Sequence, residues 1–121
     1  METLLKARHL GCLDATAIKL SKFGGISASR RARDLCLYLG TQMCIEDVWG
    51  SDITTAALLH LGASTPAQGV MNVCDLSGYV GPRLDLNAPT RRDGMIAPPE
   101  GPGLGVHPDL TTLGQPILEI T

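Results

Sequence analysis

Apolar and polar positions along the chain follow two alternating rhythms, short stretches of period two separated by longer stretches at helical spacing. Thr16–Ser21 is the first short stretch, with Ala17, Lys19 and Ser21 on one face and Ile18 and Leu20 on the other. A Gly24-Gly25 turn separates it from a predicted helix over 27–39, with Ser27 as N-cap and Gly40 at its C-terminal end. Ala28, Ala32, Leu35, Cys36 and Leu39 make the apolar stripe of that helix, and Arg30, Arg31, Arg33 and Asp34 are expected to face water. Thr41–Asp47 is the second strand, apolar until it ends in Glu46 and Asp47. The loop Val48-Trp49-Gly50 leads into a helix capped by Ser51 or Asp52 that stops before Pro66 and is apolar nearly all round, as for packing on two sides. Val70–Cys74 is the third strand, and ahead of all these Glu2–Leu10 reads as a helix ended by Gly11. That first helix lacks a capped beginning, so the chain reads as entering mid-fold.

Strand starts recur roughly every 25 to 30 residues with a helix between, the rhythm of βαβ units on a parallel sheet. The expected fold is therefore α/β over 1–80. Residues 81–121 change character: Pro82, Pro89, Pro98, Pro99, Pro102, Pro108 and Pro116 punctuate a helix-poor tail. Arg92-Asp93-Gly94-Met95 reads as a hairpin turn and Gly101–Gly105 as a bend. Three strands cannot close a barrel, and a free parallel sheet leaves apolar edges unpaired. The expectation is a piece of a larger (β/α) protein, or a chain that needs a partner.

Composition narrows the chemistry. The chain has 121 residues and a net charge of −2, which gives no reason to expect nucleic acid or an acidic membrane as partner. Arg30, Arg31 and Arg33 are read as a solvated helix face rather than a phosphate site. Cys12, Cys36, Cys44 and Cys74 lie far apart without a C-x-x-C pair, which reads as reduced, buried thiols in a cytoplasmic protein. No apolar run reaches the roughly 18 residues of a membrane span, and Lys6, Arg8 and His9 interrupt the N-terminal apolar stretch, unlike a secretory signal.

Lys19 is the residue most out of place, an ammonium on the small-residue face at a strand's C-terminal end. It either snorkels to solvent or does work at the usual functional edge of a parallel sheet. Trp49, one of only four aromatics, either fills a loop corner or offers a cation–π face to an ammonium. Asp47 either caps a helix or closes on a substrate nitrogen beside Trp49. Glu46, on the opposite strand face, is read as structural, and Asp75 either contacts substrate or orders a turn. His60 is read as a satisfied core histidine, and His9 and His107 have no partner at metal-ligand spacing. Gly24-Gly25 could cradle an anion at a helix start, but no complete nucleotide-binding motif surrounds it.

IKLSKFGG, the strand ending IEDVWGSDI, the strand NVCDLSGYV and the tail PPEGPGLGVHPDL together resemble the enolase superfamily, in its mandelate racemase and muconate lactonizing branch. The combination is most similar to cis-3-hydroxyproline dehydratases and hydroxyproline-betaine epimerases, and it covers nearly the whole chain. The resemblance implies the last three β/α units of a TIM-type barrel followed by the Pro/Gly-rich tail. It implies Lys19 as general base, with Asp47 and Trp49 holding a cationic nitrogen. Enolase-superfamily sites pair a lysine or histidine base with Mg²⁺, an established pattern in which the cation stabilises an enediolate. The resemblance also implies a small carboxylate substrate, a proline-like amino acid, and homo-oligomers among full-length relatives. The family's acidic metal ligands and its second lysine lie on strands with no counterpart here, so no metal is expected to bind this chain alone and the isolated chain is expected to be inactive. The competing expectations are a non-catalytic truncated remnant and a small anion-binding α/β module.

Overall fold

A computed structural model describes residues 1–120. Helix α1 (Glu2–His9) leads through Gly11, at φ +69°, into β1 (Ala15–Lys19). A single helical turn, α2 (Leu20–Phe23), follows directly, then α3 (Ile26–Tyr38), β2 (Gln42–Glu46), α4 (Asp52–Ala63) and β3 (Val70–Val73). A last turn, α5 (Leu110–Leu113), lies near the end of the tail. The strands pair in parallel in the order β1-β2-β3. Register runs from Ala15 opposite Gln42 to Lys19 opposite Glu46 on one side of β2. On the other side it shifts between Met43 and Cys44, so that Cys44 faces Asn72 and Ile45 faces Val73.

The core lies on one face of this sheet. Ile18 from β1 and Met43 and Ile45 from β2 pack against Ala32 and Cys36 of α3 and Leu58 and Leu61 of α4, with Leu20 and Leu76 closing the ends. Gly62 lets α4 approach β3 closely: a Cβ there would lie 2.5 Å from a Val73 methyl. The opposite face carries Ala17, Lys19, Cys44, Glu46 and Asn72, none of them buried. No helix among the described residues is long and apolar enough to cross a membrane.

Several expectations change in detail. The first strand is shorter than Thr16–Ser21. The backbone turns helical at Leu20, so Ser21 leaves the strand face and joins α2. Consecutive glycines then reverse the chain, Gly24 at φ +85° and Gly25 at φ +104°, a pairing that side-chain-bearing residues avoid. Gly25 rather than Ser27 is the N-cap of α3. Arg33 does not face water; it is buried, and its Nη1 donates to the Ser64 carbonyl and hydroxyl, each at 3.0 Å. Ser64 sits at the C-terminal end of α4, where orphan carbonyls and the helix dipole attract a cation. Only Cys36 of the four free cysteines is buried; Cys12 is exposed on the turn after α1, and Cys44 and Cys74 are half-buried. The Arg92–Met95 turn forms as expected, with reciprocal backbone bonds of 2.8 and 2.9 Å and both Asp93 and Gly94 at positive φ.

The segment after Val80 runs over α4 and is fastened to its first turn. Asp52, 2% exposed, accepts from Arg83 Nε at 2.7 Å, from the Leu84 amide at 2.9 Å and from the Asp85 amide at 3.1 Å. Asp85 in turn accepts from the Asn87 and His107 amides, and the Asp109 amide returns to the Leu84 carbonyl at 2.6 Å. His60 Nε2 lies 3.1 Å from the Leu104 carbonyl, so this histidine tethers tail to helix.

Truncating the fully buried Leu58 to Ala is expected to cost about 2–5 kcal/mol, read as a lowered urea midpoint by circular dichroism; a change within about 0.5 kcal/mol would show that α4 does not pack as described. Burial pushes the Asp52 carboxyl up, but Arg83 and the two amides outweigh it and hold its pKa below the ordinary value. A depressed folded-state value means the contribution is whole above the ordinary carboxylate range and disappears as pH falls through the depressed one. Acidification into that window is expected to speed hydrogen exchange across residues 83–109 ahead of β2, and Asp52→Asn to do so at neutral pH.

Candidate active site

Parallel pairing brings the carboxyl ends of all three strands to one edge of the sheet, and the chemically capable side chains gather there. Lys19 ends β1 and Glu46 ends β2, opposite it in register. Their side chains meet, Nζ to Oε1, at 3.2 Å, with 35% and 26% of their surface exposed. An ion pair this open to water adds little stability, about 0–1 kcal/mol; its consequence is to direct the Lys19 amine across the sheet edge rather than out among the helices. Glu46, read from the sequence as structural, is thus the immediate partner of Lys19. The sequence carried no signal for this pairing, because the expected strand ends, Ser21 and Asp47, do not set Lys19 against Glu46 and the register follows from the core-facing residues.

Asp47 lies one residue beyond β2 and faces the other way, toward the helical layer. It is 8% exposed. Its Oδ2 accepts from the Ser21 amide at 3.0 Å, and its Oδ1 accepts from the Ser21 hydroxyl and, at 2.8 Å, from the Val48 amide. Burial pushes this carboxyl up; the Ser21 hydroxyl, the Val48 and Ser21 amides and the charge of Lys19 outweigh it, leaving the pKa below the ordinary value. Asp47 is therefore ionised at neutral pH. Ser21 and Asp47 also wall an open cleft of about 350 Å³ between the α2–α3 turn and α4.

Trp49 stands in the loop between β2 and α4, 67% exposed. Ser51 closes that loop as the N-cap of α4, its hydroxyl accepting from the Ile53 amide at 3.3 Å. On the third strand end, Cys74 donates its amide to the Ile45 carbonyl at 2.9 Å. Burial first, then Glu46, raise the Cys74 thiol, with Lys19 opposing, so it stays protonated and weakly nucleophilic. Asp75 orders the turn that follows, accepting from the Ser77 hydroxyl at 3.0 Å and the Gly78 amide at 3.2 Å.

Lys19, Glu46 and the Trp49 loop thus share one edge, while Asp47 reaches it from behind through Ser21. Ser21 was not singled out in the sequence, because alternation assigned it to a strand face. The local arrangement can move a proton at Lys19 Nζ. Among the described residues no three of His, Cys, Asp and Glu come together as a metal ion requires. These residues do not fit a resident divalent cation.

Comparison with known proteins gives the family and the fold. The family described as Enolase C-terminal domain-like matches residues 1–112. The chain is 37% identical over 115 residues to a cis-3-hydroxy-L-proline dehydratase of Roseibium aggregatum, covering 95% of this chain and 31% of that protein. It is 34% identical over 111 residues to a chloromuconate cycloisomerase of Pseudomonas putida, covering 85% of this chain and 28% of that one. A crystal structure of an enolase-superfamily member from Roseovarius nubinhibens, complexed with magnesium, superposes with a TM-score of 0.91 at 34% identity, over 98% of this chain and 32% of that one. The chain therefore spans about a third of the length of the relatives it matches. Its parallel β/α units, with a lysine at the first strand end, belong to the enolase superfamily, in the C-terminal domain of the mandelate racemase and muconate lactonizing enzymes.

Proposed function

We propose that this chain supplies the proton-transfer lysine of a dehydratase or epimerase that abstracts the proton α to the carboxylate of a proline-like amino acid. One observation carries the reading: Lys19 Nζ is held over the carboxyl edge of the sheet by Glu46 at 3.2 Å. In a β/α fold, that edge is where reacting groups collect. The 37% identity to a cis-3-hydroxy-L-proline dehydratase supports the substrate class.

Removing an α-proton places a second negative charge on a carboxylate substrate, which needs strong electrostatic stabilisation. In the proposal that stabilisation comes from Mg²⁺ held by carboxylates outside these residues. Lys19 provides the amine that takes or returns the proton. Trp49 provides an exposed aromatic face for the substrate ammonium, about 0.5–2 kcal/mol depending on desolvation. Asp47 contributes negative charge to the same nitrogen through space, because its oxygens are already engaged by Ser21 and Val48.

The test is a hybrid enzyme in which this chain replaces the matching third of the Roseibium dehydratase, assayed by proton NMR for α-hydrogen exchange in D₂O. Lys19→Ala is expected to lower exchange by about 10²–10⁴-fold with Mg²⁺ affinity retained by calorimetry; exchange at the unsubstituted rate would contradict the assignment. Trp49→Ala is expected to raise KM by about 2–30-fold with little change in kcat, whereas an unchanged KM would remove Trp49 from the substrate site.

A further inference from the structure

Lys19 is the N-cap of α2, at φ −100° and ψ 115°, and it has no side-chain cap of its own. The backbone therefore leaves the strand and enters a four-residue helix immediately at the proposed base. A turn that short is too small to hold itself, and its first amides need acceptors. Asp47 supplies one from a different element, 26 residues further along the chain. Its carboxylate takes both the amide and the hydroxyl of Ser21, two residues beyond Lys19, while its other bond ties it to its own loop at Val48.

We infer that Asp47 and Ser21 form a clasp that positions Lys19, fixing where β1 breaks into α2 and hence the direction and mobility of the amine. Three observations carry this. Asp47 is nearly buried and faces the helical layer, whereas Lys19 and Glu46 lie on the opposite face of the sheet. The clasp joins the residue after the end of β2 to the turn after the end of β1, so it locks the two strand ends to each other at the point where Lys19 projects. Leu20 and Phe23 hold α2 to the core by apolar contact, and the Gly24 and Gly25 amides close back on the Leu20 carbonyl within the turn itself, so Asp47 supplies a polar tie to α2 from a different element. Ser21 is thus a positioning residue, and Asp47, besides its through-space charge on the substrate nitrogen, acts on the reaction through Lys19 in the same way. The inference rests on the reading of Lys19 as the proton-transfer group, but its local consequence is measurable without turnover.

In the full 121-residue chain, amine labelling by trinitrobenzenesulfonate, quantified by peptide mass spectrometry, reports Lys19 against Lys6 of α1 as internal reference. Ser21→Ala keeps the charge of Asp47 and removes one bond of the clasp; Lys19 labelling is expected to rise about three- to ten-fold, with Lys6 unchanged. Asp47→Asn is expected to raise it further, and Ser21→Thr, which retains the hydroxyl, to restore the original rate. In the hybrid enzyme, Ser21→Ala is expected to lower kcat about ten-fold or more with KM unchanged. Lys19 labelling and kcat that stay constant across all three variants would overturn the clasp, as would a Ser21→Ala effect confined to KM. Exchange surviving in Lys19→Ala would instead sink the assignment of the base, while a labelling response to Ser21→Ala would leave the clasp standing.

Discussion

The structure depends on one constraint, the parallel register of β1 and β2 from Ala15–Gln42 to Lys19–Glu46. Because side chains alternate across a strand, that single register decides two things together. It sends Ile18 and Ile45 into the same core, where both are fully buried, and it sets Lys19 against Glu46 on the opposite face. A slip of one residue would exchange the faces, exposing Ile18 and driving an ammonium into the apolar layer under α3 and α4. The hydrophobic requirement of the core therefore fixes the position of the proposed working amine, and no separate device is needed to choose its face.

Carboxylates then do for the loops what hydrophobic burial does for the sheet. Asp47 ties the end of β2 to the turn after β1, and Asp52 ties the start of α4 to the segment around Arg83–Asp85. Asp85 gathers Asn87 and His107 in the same way. Asp47 and Asp52 each resist desolvation through several charge-assisted bonds, and both lie at the carboxyl edge of β2. These bonds fasten the loops at that edge, as the proposed positioning of the amine requires.

Most of the architecture was legible in the sequence. The period-two and helical stretches located β1, α3, β2, α4 and β3 within about two residues, because each turns apolar residues toward the shared core. The Asp93-Gly94 turn was also legible from its residue types. What escaped were contacts made across elements. Arg33 looked solvent-facing in helical projection, yet the C-terminal end of α4 draws it in. Ser21 looked like a strand residue because local alternation cannot sense a carboxylate arriving from 26 residues away. Glu46 looked structural because its face was judged against Asp47, its neighbour in sequence, and not against Lys19, its neighbour in register. The family resemblance proposed Lys19 as the base; only the fold showed what surrounds it.

The central claim is that the amine at position 19 reaches the reacting carbon, and the most direct test is a crystal structure of the hybrid enzyme with a proline-like amino acid bound. The expected result places Lys19 Nζ about 3–3.5 Å from the α-carbon, with Glu46 still beside it and the Asp47–Ser21 bonds intact. An Nζ directed away from the substrate, with the α-carbon approached by a different residue, would contradict the proposal.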